Sequence, residues 1–326
     1  MILDIMIKVS APGKLMLFGE HAVVHGKPCI VTAVDQRMEV KAEFNGEDEL
    51  VVNAPQLGIK NYKRTVNELG SQEMPKQVSF VEAVVKRFYG KYGLKKGLNI
   101  TTHSQFSHTF GFGSSSAITI ATLKALSLLY KIRLTENEIF NLSYQSVLDI
   151  QGVGSGFDLA AALWGGTLLY KKAAKLVKQV KVKKLPFIVC YSGIKADTPT
   201  LVRQVEELKR RQPGKVNKIF RQMDKISLRT ASLLAREEWV EIGRLMNENQ
   251  RLLEELEVST LLLEKLIKAA LDAGAWGAKL SGAGGGDNII TLCSKEKRKR
   301  VERALIKGGG KIMKVKLNAR GVKIFH

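Results

Sequence analysis

The 326-residue sequence has few cysteines and few prolines. Its three cysteines, Cys29, Cys190 and Cys293, are odd in number and far apart, which excludes a disulfide framework and a CxxC metal site. The seven prolines form no Pro/Ser-rich linker between domains. Unpaired cysteines are typical of a reducing compartment, so we expect a cytoplasmic location.

The sequence also lacks a long hydrophobic run and a leader-like N-terminus. Its longest stretch without Asp, Glu, Lys or Arg, residues 97–123, is dense in Ser, Thr, Gly and His. A bilayer span needs about 20 mostly apolar residues, so this stretch is not one. Asp4 and Lys8 interrupt the segment that would have to be the apolar core of a secretory signal. We therefore expect a soluble protein with no membrane partner.

Acidic residues are in deficit. The sequence has 31 Asp and Glu but 52 Lys and Arg, which gives a net charge of +21. Such an excess can indicate binding to nucleic acid or to an anionic surface. Here the lysine-rich runs 171–184 and 295–303 are interleaved with apolar residues, which is typical of the solvated faces of a strand and a helix. No zinc finger, arginine-rich tail or basic patch with interleaved aromatics is present. We expect no specific nucleic-acid partner.

Strand-like and helix-like segments make up most of the chain, in which 45% of residues are hydrophobic. Alternating or continuously apolar runs predict strands at 7–12, 29–44, 99–102, 165–171, 177–183, 185–191, 311–317 and 322–325. Apolar residues at three- and four-residue spacing predict helices at 78–90, 116–130, 135–148, 198–211, 215–236, 239–256, 260–274 and 295–307. Residues 13–26 are predicted as a loop, and Thr135 with Glu138 as a capping box.

These elements indicate an α+β protein of two domains, since a domain typically has about 150 residues. The character of the sequence changes near residues 172–185, where lysines cluster before a mainly helical stretch. We predict an N-terminal domain over residues 1–178 and a C-terminal domain over residues 179–326.

The glycine-serine segment 111–117, GFGSSSA, directly precedes an apolar helix. Glycines let the backbone bend so that several amides face one point, and a helix N-terminus adds partial positive charge. Serine hydroxyls could contact phosphate oxygens or a magnesium ion. The segment fits neither the Walker A nor the dinucleotide pattern, but it favours phosphate binding over a merely flexible loop.

Three further segments carry polar residues among glycines. Residues 11–26 contain Lys14, Glu20 and His21, which suit either a substrate site or a solvated turn. Residues 281–287, SGAGGGD, allow a ligand to approach the backbone closely or form a tight turn. Asp158, at the start of an apolar helix, is either a helix cap or a positioned base.

Taken in order, these segments resemble the GHMP small-molecule kinases over nearly the whole chain. The resemblance lies in APGKLMLFGEHAVVHGKP at 11–28, SGFD at 155–158, GRLMNENQRLLEELEVST at 243–260 and GAKLSGAGGG at 277–286. Among these kinases, those that act on mevalonate are the most similar. The resemblance implies a two-domain GHMP kinase fold with the active site in the inter-domain cleft.

The resemblance also implies a role for each residue. Asp158 would take the proton from the acceptor hydroxyl, and Lys14 would stabilise the developing charge. Substrate contacts would come from Glu20, His21, Gly282 and Ala283. ATP would be held by Gly111, Phe112, Gly113, Ser114, Ser115, Ser116, Gly282, Gly284 and Gly285. Ser115 would also contact Mg2+. The expected reaction is ATP-dependent phosphorylation of mevalonate in isoprenoid biosynthesis.

Some positions depart from the pattern of the resembling kinases. Their metal-binding glutamate lies eleven residues before the catalytic aspartate, where this sequence has Val147. The third segment ends in Asp287 rather than glycine, and Phe112 replaces the usual leucine. The alternative acceptor is therefore 5-phosphomevalonate. A nucleic-acid-binding chain and a non-catalytic nucleotide-binding relative are more distant alternatives, and a homodimer is possible from the family.

Overall fold

The computed structural model describes residues 5–70, 75, 78–106 and 110–325. Asp4 and residues 107–109 of the uncharged stretch lie outside these ranges. The helices are α1 Ser79–Tyr92, α2 Ser114–Leu129, α3 Glu136–Gln151, α4 Phe157–Trp164, α5 Thr198–Arg211, α6 Pro213–Ala235, α7 Trp239–Glu255, α8 Leu261–Asp272 and α9 Arg298–Lys307. Within the described part of the chain, no helix has the length and apolar character needed to cross a membrane.

The first sheet has eight strands, in the order β12-β1-β2-β5-β3-β4, with β6 and β7 joined to it through β2. The strands are β1 Ile7–Phe18, β2 Cys29–Phe44, β3 Glu49–Ala54, β4 Ile59–Thr65, β5 Leu98–Ser104, β6 Thr167–Lys171, β7 Leu176–Gln179 and β12 Lys323–Phe325. All pairs are antiparallel except β3 with β5. Helices α2 and α4 pack on β1 and β2, and α1 and α3 pack against them.

The second sheet has four strands in the order β11-β8-β10-β9. They are β8 Ile188–Tyr191, β9 Gly277–Ser281, β10 Asn288–Leu292 and β11 Lys311–Met313. Helices α7, α8 and α9 pack against this sheet, whereas α6 also contacts strands β1, β2 and β6 of the first sheet. The core of the second half therefore includes residues of the first sheet, such as Leu17 and Ile30.

The predicted loop at 13–26 is wrong for its first six residues, because β1 continues to Phe18. Leu15, Leu17 and Phe18 face the core of the second half, whereas Met16 faces the core of the first. Both faces of this part of the strand are covered, so it lacks the polar-apolar alternation of a half-exposed strand. Shifts of the β1–β2 register before Lys14 and Phe18 accommodate the irregular backbone.

Other predicted elements agree more closely with the structure. The capping box is present, since the Thr135 side chain accepts from the Glu138 amide and the Glu138 carboxylate accepts from the Thr135 amide. Strands β3 and β4 were not predicted, and the predicted strand at 311–317 is only three residues long. The boundary at residue 178 stays a prediction, but β12 pairs with β1 and so belongs to the first sheet.

Candidate active site

The segment 110–116, which we call the phosphate loop, leads into helix α2 through two left-handed glycines. Gly111 has a φ of 67° and Gly113, the residue before the helix, a φ of 75°. A Cβ on Gly113 would lie 3.1 Å from carbons of the Lys14 side chain, so a larger residue there would crowd Lys14. The first turn of α2 exposes amides with no partner inside the helix, which suits an anion.

Lys14 lies against this loop. Its ammonium donates to the Gly111 carbonyl at 2.9 Å, and its backbone amide donates to the Phe112 carbonyl at 2.8 Å. Burial lowers the pKa of Lys14, while the negative charges of Asp158 and Asp287 oppose that shift. The side chain nevertheless stays partly exposed, so it remains within reach of a ligand.

Asp158 is the second residue of α4, which begins directly after Gly156, a residue with a φ of 83°. Its Oδ1 accepts a local hydrogen bond from the Leu159 amide at 3.0 Å. Its negative charge opposes the lowering of the Lys14 pKa. The structure thus brings together the predicted base, the predicted lysine and the phosphate loop.

The three loop serines differ in exposure. Ser114 and Ser115 are partly exposed at the start of α2, where their hydroxyls are accessible. Ser116 is 1% exposed, and its Oγ has no hydrogen-bond partner among the described residues. Phe112 is also buried, with its ring in edge contact with Phe106 and Phe110. The Phe112 side chain therefore packs in the core, contrary to a nucleotide contact by the ring.

Glu20 has its partners inside the protein. It is fully buried, Oε1 accepts a short hydrogen bond from the Lys279 ammonium, and Oε2 accepts from Asn249 Nδ2 at 3.2 Å. Lys279 is also fully buried and donates to the Leu280 carbonyl as well. Both oxygens of Glu20 are thus engaged by the second half of the chain, which corrects the expected direct contact with substrate.

His21 joins the two halves at the same place. It is 6% exposed, and its φ of 58° is unusual for a residue other than glycine. Burial lowers the pKa of His21, so the ring is neutral near pH 7. Its Nε2 lies 2.9 Å from the Ala283 carbonyl, which requires the proton on Nε2.

The third glycine segment, 281–287, contains glycines of two kinds. A Cβ on Gly284 would lie 2.1 Å from the Val258 carbonyl, and one on Gly285 would lie 2.9 Å from Leu201. These two glycines are required by packing within the second half. A Cβ on Gly282 would meet nothing within 4 Å, so Gly282 borders open space and is accessible to a ligand.

Sequence reasoning gave no role to Lys279, Asn249 and Lys195. Lys279 interrupts an otherwise apolar strand, which is the one signal that could have marked it. Asn249 is on helix α7 and completely buried. Lys195 precedes α5, and its positive charge contributes to lowering the pKa of Lys14. Each depends on contacts that the fold creates over more than a hundred residues.

The residues at the site fit a magnesium ion only together with phosphate oxygens. Val147 is 6% exposed and packs in the first core, so the usual glutamate has no substitute at that position. Asp149 is paired with Arg87. Among residues 5–70, 75, 78–106 and 110–325, no group of three or more His, Cys, Asp or Glu could hold a metal. Mg2+ is commonly held by one or two carboxylates with substrate phosphates, and Asp158, Asp287 and the Ser115 hydroxyl supply such donors.

Comparison with known proteins identifies the family. The model of the GHMP kinases N terminal domain matches residues 79–166, and that of the GHMP kinases C terminal matches residues 230–311. Mevalonate kinases of Thermococcus sibiricus and Thermococcus onnurineus are 32% and 33% identical to this chain, over 98% of each sequence.

Solved structures agree with this comparison. The Methanococcus jannaschii mevalonate kinase is 29% identical, covers 96% of this chain and 98% of its own, and superposes with a TM-score of 0.80. The Lin0012 protein from Listeria innocua shares the fold, with a TM-score of 0.86 at 22% identity over 99% of this chain and 100% of its own. The chain therefore belongs to the GHMP kinases and, within them, to the mevalonate kinase family.

Proposed function

We propose that the protein transfers the γ-phosphoryl group of ATP to the hydroxyl of mevalonate, giving 5-phosphomevalonate and ADP in isoprenoid biosynthesis. One observation carries this proposal. The Lys14 ammonium donates to the Gly111 carbonyl of the phosphate loop, and the negative charge of the nearby Asp158 carboxylate acts on that ammonium. A base, a cation and an anion-binding loop are the parts that phosphoryl transfer to an alcohol requires.

In the proposed reaction, Asp158 accepts the proton of the acceptor hydroxyl as that oxygen attacks the γ-phosphorus. A general base of this kind contributes roughly 10²–10⁴-fold to the rate. Lys14 stabilises the negative charge that develops between the two oxygens, and the amides at the start of α2 bind the phosphates. Gly282 leaves room for the acceptor, and His21 holds the third glycine segment in place through Ala283.

Mg2+ would accompany the nucleotide and neutralise charge on its phosphates. Ser115, Asp158 and Asp287 are the residues whose side chains could hold it. A cytoplasmic location and a homodimer also belong to this proposal. The three cysteines are free and buried, which supports a reducing compartment.

The second candidate acceptor is 5-phosphomevalonate. The turn Ala22–His25, which follows His21, is flanked by two lysines. Lys172 donates to the Val24 carbonyl at 3.1 Å, and Lys209 lies 3.0 Å from Nδ1 of His25. Basic side chains beside this turn would suit an acceptor whose far end is anionic, either a carboxylate or a phosphate.

A coupled ADP-release assay with mevalonate and 5-phosphomevalonate side by side tests the proposal. We expect turnover with mevalonate at a kcat/KM at least about tenfold above that with 5-phosphomevalonate, a difference of about 1.4 kcal/mol. The opposite preference would favour the second candidate. Activity on neither, in protein that binds ATP, would contradict both kinase assignments and leave the non-catalytic nucleotide-binding alternative.

A further inference from the structure

Asp287 stands in a backbone conformation that glycine adopts more easily. Its φ is 54°, in the left-handed region, and it directly follows three consecutive glycines. An aspartate tolerates this region better than most residues, but it still costs conformational free energy that a glycine would avoid. The carboxylate at the end of the third glycine segment is therefore present despite the conformational cost of a left-handed residue.

The backbone and side chain of Asp287 fix that carboxylate in one direction. The Asp287 amide donates to the Ile194 carbonyl at 2.7 Å, and its own carbonyl accepts from the Ser192 amide at 2.8 Å. Oδ1 accepts from the Ala196 amide at 3.1 Å. Oδ2 faces the phosphate loop, where a Cβ on Gly111 would lie only 2.6 Å from it.

The same place holds polar atoms that have no partner. Asn288, the next residue, is 1% exposed and donates through Nδ2 to the Phe110 carbonyl at 2.6 Å. Its Oδ1 and the Oγ of Ser116 are both buried without a hydrogen-bond partner within the described ranges. Asp287 itself remains partly exposed. The start of the phosphate loop thus adjoins the partly exposed carboxylate of Asp287 and the buried amide of Asn288.

A triphosphate bound on this loop would bring several negative charges next to the Asp287 carboxylate. Lys14 and Lys195 carry two positive charges against the two carboxylates of Asp158 and Asp287, which leaves the charge of the phosphates uncompensated. A divalent cation would remove the repulsion, because Mg2+ takes carboxylate and phosphate oxygens together. The glutamate that usually serves the metal is absent, since Val147 lies in the core at its position.

We propose that Asp287 couples nucleotide binding to a divalent cation, weakening metal-free ATP and favouring Mg-ATP at the phosphate loop. The proposal rests on ATP being the nucleotide of the proposed function. Asp287 is the carboxylate through which the cation and the nucleotide stabilise each other on this chain. Coupling of this kind is reciprocal, so ATP also raises the affinity for the metal.

The test compares ATP affinity with EDTA and with saturating Mg2+, by isothermal titration calorimetry, for the unsubstituted protein, Asp287→Asn and Asp224→Asn. Asparagine keeps an oxygen for the Ala196 amide and removes only the charge. Asp224 is a carboxylate that also joins the two halves, through Lys27 at 3.3 Å, and it serves as the matched control. The formation of Mg-ATP in solution is common to all three proteins and cancels in the comparison.

We expect Asp287→Asn to lower the ratio of the metal-free to the Mg2+ dissociation constant by about tenfold, with metal-free ATP binding more tightly. The control should keep the ratio of the unsubstituted protein. Mn2+ binding followed by electron paramagnetic resonance, with ATP present, should weaken in Asp287→Asn. An unchanged ratio in a folded Asp287→Asn that binds Mg-ATP would overturn this inference alone. Failure of the unsubstituted protein to bind ATP under either condition would instead overturn the proposed function.

Discussion

Lys14 and Lys279 are two lysines in closely similar settings with different partners. Burial lowers the pKa of both, and each has a carboxylate whose charge acts against that shift. Lys279 is fully buried and bonded directly to Glu20, whose second oxygen is held by Asn249. Lys14 is partly exposed and donates to a carbonyl, and nearby Asp158 accepts a local hydrogen bond from the Leu159 amide. A buried charge that is satisfied internally holds the fold together, whereas one left accessible can serve a ligand.

The largest expected effect is on turnover, and it concerns Asp158, the carboxylate near Lys14. If Asp158 is the base, Asp158→Asn should lower kcat by about 10²–10⁴-fold, since the amide cannot accept the proton. ATP affinity and the free energy of unfolding should change little, because Asp158 makes only a local bond to the Leu159 amide. Steady-state kinetics, ATP titration and urea unfolding measure the three quantities. Retained turnover would remove Asp158 from the mechanism.

The buried pair of Glu20 and Lys279 should affect stability rather than turnover. Lys279→Met leaves Glu20 as an unpaired buried charge, which should cost about 3–5 kcal/mol of unfolding free energy. The double variant Glu20→Gln with Lys279→Met should recover much of this loss, because no charge is then left buried. Lys14→Met is the matched control, since its methionine replaces a partly exposed lysine, and it should lose activity with little loss of stability. Equal stability losses in the two single variants would break the distinction between the two lysines.

A pH profile sharpens the comparison on the Lys14 side. Lys14 must be protonated to stabilise phosphoryl transfer, and burial lowers its pKa. The profile of kcat/KM should therefore fall, as pH rises, below the ordinary pKa of lysine. Lys14→Arg should move this fall to higher pH by at least about one unit, even where the substitution lowers the maximal rate. A fall at the same pH in both proteins would assign it to another group.

The smallest effect is expected for the ion pair between Lys27 and Asp224, which also joins the two halves. Its side chains are 35% and 26% exposed, so solvent screens much of the attraction. Asp224→Asn should change the unfolding free energy by about 0–1 kcal/mol. Urea unfolding alongside Lys279→Met gives the contrast directly. A loss of unfolding free energy as large as that of Lys279→Met would show that solvent exposure does not determine how much these ion pairs stabilise the fold.

The sequence predicts the local parts of this molecule well. The capping box at Thr135 and Glu138 and the helix at 198–211 depend on residues a few positions apart, and the structure has both. The family resemblance named both Lys14 and Gly111, which the structure brings into contact. Lys14 and Gly111 are separated by 97 positions, and no periodicity joins them.

What the sequence could not predict are the contacts between the halves. Glu20 was expected to contact substrate. Nothing in the sequence indicated that it pairs with Lys279 instead, because the two residues are 259 positions apart. Residues 13–18 were predicted as a loop because Pro12 and Gly13 suggested that the strand ends there. The strand continues instead, and it shows no alternation of polar and apolar residues because both of its faces are covered. Strand burial of this kind is decided by the packing of distant elements.

The pairing of β12 with β1 has a consequence for synthesis on the ribosome. Residues 323–325 pair with β1 at one edge of the sheet, so that edge stays unpaired until these residues, more than 300 positions after β1, have emerged. The edge of β1 therefore stays without a pairing strand while the second half is translated. An unpaired strand edge can form hydrogen bonds with other chains and so promotes aggregation. Removal of residues 323–325 should accordingly reduce soluble yield during expression, although these residues contribute no group to the proposed reaction.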